Sequence, residues 1–120
     1  MRQILIPTFA VATTIIFFAA LLGAASTSSN TRDGEAVFNQ EQCVLCHSVS
    51  SAGVVAKTKS EKLKGPDLTG VGERYEAEWI GKYVKKEADK NGKSHTKPFK
   101  GSDEELQALV DWLLEQKAEG

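Results

Sequence analysis

The chemistry in this chain is concentrated in CVLCH, Cys43 to His47, which holds both of its cysteines and one of its two histidines. The other histidine, His95, lies in KSHTKPFKG from Lys93 to Gly101, and the only methionine is Met1. Two thiols three positions apart could close a small disulfide loop or form a redox pair of the thioredoxin type. The second choice needs a strand-helix-strand setting, and no strand pattern surrounds the motif. A zinc site needs more Cys or His at matching spacing, and only His95 remains. The spacing suits another chemistry better. Thiols so placed on one turn can reach both vinyl groups of a single porphyrin as thioethers while the next imidazole points at the iron, so Cys-x-x-Cys-His reads as a covalent haem attachment motif.

The surrounding chain supports that reading. From Ile4 to Ala25 there is no charged residue, and Arg2 alone precedes the run. The segment 1–25 is an export element. The small residues GAAS at 23–26 offer a cleavage site for a signal peptide, whereas the length, close to the roughly 20 apolar residues of a membrane span, suits an uncleaved anchor. The sequence leaves the two open. A buried core helix is disfavoured, because the run has no polar stripe. STSSNTR at 26–32 is polar and aperiodic and reads as a tether. The remaining segment, 33–120, is small for a self-sufficient core, and domains of this size are marginal unless a metal, disulfide or cofactor staples them. A covalent haem, attached outside the cytoplasm, supplies that staple.

The elements that must position the motif are helical. A first helix is predicted over about Asp33 to Gln42 with Val37 and Phe38 inward. The last helix begins at a capping box, Ser102 with Glu105, and has Leu106, Leu109, Val110, Leu113 and Leu114 at helical spacing, with Trp112 at the stripe's edge. Between them EAEWIGKYVKKEADK, from Glu76, puts Trp79, Ile80, Tyr83 and Val84 on one side and ends at Asn91-Gly92, read as a helix stop. Ser48 to Lys64 lacks a sustained period and reads as a long loop with room for one short helix.

Four blocks, DGEAVF at 33–38, CVLCH at 43–47, GPDLTGVG at 65–72 and FKGSDEELQALVDWLLEQ at 99–116, resemble the class I c-type cytochromes over Asp33 to about Lys117. The resemblance implies an all-α fold wrapped around one covalent haem c, with Cys43 and Cys46 attaching it and His47 as proximal ligand. It implies that the first and last helices cross through Gly34, Phe38, Leu109 and Trp112. It gives the His47 ring proton to the carbonyl of Pro66, and it places propionate donors at Arg74, Tyr75 and Trp79, each of which has a plain alternative as a surface charge or core aromatic. Most members of the family supply a methionine to the iron from the loop before the last helix. None is present here, and His95, four residues before Phe99, occupies that loop. His95 is therefore the candidate sixth ligand. The competing reading is a surface histidine among lysines, with an open or water-bound iron.

These readings imply a monohaem carrier of single electrons between redox proteins, periplasmic or on the outer face of the cytoplasmic membrane, and not an enzyme. Bis-histidine ligation implies a low potential, because a thioether favours ferrous iron more than a second imidazole does. The alternative is a gas-binding or sensor module with a displaceable sixth ligand. The partners are redox proteins, with a membrane electron-transfer complex open to a chain anchored through residues 4–25. The net charge of −1 hides lysines at 57, 59, 62 and 64 and again at 82, 85, 86, 90, 93, 97 and 100, against an acidic last helix. A basic rim of that kind would steer acidic partners. A near-neutral exported chain argues against nucleic acid.

Overall fold

A computed structural model describes residues 31–119. The apolar run 1–25 and most of the 26–32 tether lie outside the described residues. Thr31 and Arg32 open the first helix, α1, which spans Thr31–Gln40. Among the described residues no helix is long and apolar enough to cross a membrane.

The last helix, called α4 in chain order, spans Asp103–Glu115 and starts where the capping box predicts. Ser102 Oγ accepts from the Glu105 amide at 3.2 Å, and Glu105 Oε2 accepts from the Ser102 amide at 2.8 Å. Asp103, Glu104 and Glu105 add negative charge at the positive end of the helix dipole. The helix crosses α1 at Gly34, where a Cβ would collide with Trp112 Cβ and the Ala108 carbonyl. Only glycine permits that approach. Phe38 fills the crossing with its ring 5.4 Å from that of Trp112 and is fully buried beside Leu109. Trp112, placed by the sequence at the edge of the stripe, is in the core, because the glycine opposite leaves room for the indole.

Two further helices, α2 at Val71–Arg74 and α3 at Ala77–Val84, pack on α4. The short α2 was not legible as a helix in the sequence. The α3 helix ends well before Asn91-Gly92, contrary to expectation. Lys86 enters the left-handed region at φ 64°, its amide bonds the Tyr83 carbonyl at 3.0 Å, and the Glu87 amide bonds that of Lys82 at 2.8 Å. These two bonds form a Schellman stop on a non-glycine residue. Asn91 and Gly92, at φ 52° and 71°, form the turn of a two-stranded antiparallel ribbon. The strands β1, Asp89–Lys90, and β2, Lys93–Ser94, pair Asp89 with Ser94 and Lys90 with Lys93. Left-handed backbone at both central residues is what a tight hairpin turn requires, so the expectation of wholly helical structure is corrected here.

The loop after the cysteine motif contains a single 3-10 turn, Ser50–Ala52, closed by a bridge between Val49 and Val54. Val49 is completely buried, a core residue that no periodicity marked.

Candidate functional site

The cysteine motif is held as a tight 3-10 turn, Cys43–Leu45, entered through Gln42 in the left-handed region at φ 61°. The His47 amide bonds the Cys43 carbonyl at 2.9 Å, which curls the motif so that residues 43, 46 and 47 share a side. Val44 points into the core and anchors the turn. The next loop braces it: amides of Lys57, Thr58 and Gly65 bond the carbonyls of Val44, Leu45 and Cys46 at 2.8–2.9 Å. Both thiols are free and half-buried. Burial, helped by the nearby Glu41 carboxylate, pushes the Cys43 thiol up to about 11, so it stays protonated at neutral pH.

These side chains line a cavity of about 660 Å³, walled by Phe38, Val71, Ile80, Phe99, Leu109 and Leu113 among others. His47 and His95 both border it, with ring centres 6.0 Å apart and planes 13° apart. Each ring is tethered the same way. His47 Nδ1 lies 2.8 Å from the Pro66 carbonyl, and His95 Nδ1 lies 2.6 Å from the Lys97 carbonyl. A carbonyl oxygen only accepts, so each Nδ1 carries a proton and each Nε2 is the ring nitrogen left to face the cavity's contents. Burial also holds the His47 pKa below the ordinary imidazole value, outweighing the Pro66 bond, so that ring is neutral at pH 7. Two imidazoles whose Nδ1 protons are given to carbonyls are arranged as metal-binding histidines are. A spacing of about 6 Å between ring centres leaves room for one metal at about 2 Å from a nitrogen of each ring.

The backbone at Gly65 passes so near His47 that a Cβ there would collide with its Cε1. Arg74, Tyr75 and Trp79 all border the same cavity. Arg74 is exposed, with Nη1 3.4 Å from the Thr69 carbonyl. Tyr75, at the end of α2, stacks on Trp79 and Trp79 on Tyr83 of α3, with centroids 4.5 and 4.7 Å apart, and Tyr83 meets His95 edge-on at 5.3 Å. Two contributors escaped sequence reasoning. Tyr83 was legible only as part of a helical stripe, and Lys97 only as one lysine among many. Nothing local in the sequence distinguishes a lysine whose carbonyl is used.

Among the described residues there is no group of three or more His, Cys, Asp or Glu that could hold a metal ion. Two thiols and two imidazoles on one largely apolar cavity are the residues that would hold a flat macrocycle carrying a metal, the thiols covalently and the imidazoles through nitrogen. The family model described as Cytochrome c matches residues 31–117. No curated protein and no solved structure matches the chain.

Proposed function

Because the chain belongs to the cytochrome c family, with one covalent haem c as its cofactor and redox proteins as its partners, we propose that it is a low-potential, bis-histidine electron carrier working outside the cytoplasm. The observation that carries this reading is the pairing of His47 and His95, 6.0 Å apart and nearly parallel, with both Nδ1 atoms engaged by carbonyls.

When bound, the haem supplies a one-electron couple. The chain's own residues hold and tune it. Cys43 and Cys46 hold it through thioethers, and His47 and His95 offer Nε2 lone pairs to the metal. The carbonyls of Pro66 and Lys97 fix both rings by keeping their Nδ1 protons, which also raises the donor strength of each Nε2. Two strong nitrogen donors stabilise the oxidised ion relative to a histidine and thioether pair, which lowers the potential. With His47 and His95 both held by the metal, the haem would have no coordination site left for a substrate, which would favour transfer over catalysis. Arg74, Tyr75 and Trp79 border the cavity with polar ends, and in this reading they receive the anionic propionates. The apolar run 4–25 exports the domain as a signal or holds it at the outer membrane face, where a membrane redox complex is within reach.

EPR and optical spectra of the oxidised and reduced full chain test the reading, beside a His95→Ala variant. Low-spin bis-imidazole signals that are lost in the variant support it. High-spin iron in the unmutated protein, with ready carbon monoxide binding on reduction, overturns it in favour of a gas-binding module.

A further inference from the structure

His95 sits on irregular backbone between β2 and α4, and one side chain ties that backbone to the residues that lead into the cysteine motif. Lys97 Nζ donates to the Glu41 carbonyl at 2.7 Å and to Gln42 Oε1 at 3.0 Å. The carbonyl of the same lysine accepts the Nδ1 proton of His95 at 2.6 Å. Among the described residues, the hydrogen bonds of residues 95–98 all involve Lys97. The next ties come at Phe99, whose amide bonds the Val84 carbonyl at 2.8 Å, and at Lys100, whose amide bonds Glu41 Oε2 at 3.0 Å.

The attachment point is chemically apt. Glu41 and Gln42 directly follow α1, and carbonyls at a helix C-terminus lack intrahelical partners and sit at the negative end of the dipole. An ammonium is the donor that suits such a place. Gln42 is also the left-handed residue that turns the chain into Cys43. Lys97 therefore grips the base of the attachment turn with its side chain while its backbone holds the imidazole.

We propose that Lys97 is the positioning residue of the sixth coordination site, a clasp that keeps His95 over the iron by fastening its loop to the Cys43–His47 turn. The proposal rests on His95 being a ligand. Without the ammonium, the carbonyl that orients His95 has no fixed place, and the ring leaves often enough for a small exogenous ligand to enter.

Stopped-flow carbon monoxide binding to the reduced, haem-loaded full chain tests it, with circular dichroism confirming the fold of each variant. Lys97→Ala is expected to bind on the order of tenfold to a hundredfold faster than the unmutated protein, the worth of one or two charged hydrogen bonds. Lys97→Arg, which keeps charge and donors, returns the rate close to the unmutated value. Gln42→Ala, which alters neither Lys97 nor His95, gives a smaller acceleration and decides the matter if Lys97→Ala fails to fold. Unmutated-like rates in Lys97→Ala, or in Gln42→Ala where it must decide, overturn the clasp while a fast His95→Ala leaves the ligand assignment standing. An unmutated protein as fast as His95→Ala overturns the ligand assignment itself.

Discussion

His47 and His95 come from separate loops, and their rings lie 6.0 Å apart with only 13° between their planes. One follows a cysteine turn stitched to the core by Val44, and the other hangs from a loop fastened at Lys97 and Phe99. The potential should respond to the nature of the second donor. His95→Met replaces a strong nitrogen donor by a thioether and should raise the midpoint potential on the order of 0.1 V, well within the roughly 0.8 V that axial ligands command. Spectroelectrochemical titration of the two proteins reads the difference. An unchanged midpoint would mean that residue 95 does not reach the iron.

The crossing of α1 and α4 makes a separate claim, on stability alone. Gly34→Ala gains up to about 1 kcal/mol of helix propensity. It also drives a methyl into Trp112 and the Ala108 carbonyl, neither of which can yield without moving a helix. Overpacking of that kind costs about 1–3 kcal/mol or more and should win. Guanidinium unfolding of the holoprotein should show the variant less stable by the difference, about 1–2 kcal/mol, and equal midpoints would refute the close approach.

Local pattern made part of the molecule legible in its sequence. The cysteine motif and the capping box at Ser102 each depend on a few residues at fixed spacing, whereas the meeting of Gly34 with Trp112 came only from the resemblance to the family. The end of α3 was not legible, because a left-handed lysine at 86 carries no composition signal and Asn91-Gly92 serves a hairpin as readily as a helix stop. Val49 is buried by a bridge to Val54 in a loop without period, and Lys97 acts through its carbonyl. Those features belong to tertiary contacts, which no single stretch of sequence contains.

Lys86 offers a stabilising substitution. It closes α3 at φ 64°, where a side chain costs about 1 kcal/mol or more and glycine costs nothing. Lys86→Gly should raise stability by up to about 1 kcal/mol, since the entropy glycine loses on folding offsets only part of that gain. Chemical denaturation of the two holoproteins measures it, and a loss of stability would show that the lysine side chain itself supports the ribbon.

Asp67 gives a pH dependence. Its slight burial is the largest single influence and pushes its pKa up, but bonds from the Ser50 hydroxyl, the Thr69 and Ser50 amides and the Thr69 hydroxyl together outweigh it and bring the carboxyl down to about 2. A folded-state pKa below the unfolded value of about 3.9 means stability present above pH 4 that is lost as pH falls towards 2. The carboxylate is largely exposed, so the effect is modest. Asp67→Asn should flatten the stability curve between pH 4 and 2 relative to the unmutated protein. Comparing the two proteins removes the contribution of the histidines, which both share, and parallel curves would rule out the network around Ser50 as an acid-sensitive brace.

Local charge, not net charge, should govern encounters with redox partners. A chain of net charge −1 would be nearly indifferent to ionic strength if its charges were evenly spread. Lys62, Lys64, Arg74, Lys90 and Lys97 border the cavity against Glu41 and Asp67, while α4 carries a run of acidic residues and no basic one. An anionic oxidant such as ferricyanide should therefore react with the reduced protein about tenfold faster at low salt than when screened, and a cationic cobalt complex should show the reverse trend. Replacing Lys62 and Lys64 together with glutamate should shrink the ferricyanide salt effect while leaving the midpoint potential and the far-ultraviolet circular dichroism unchanged. If both reagents respond alike to salt, the field at the electron-exchange edge is that of the whole molecule, and the lysines there are merely solvated surface.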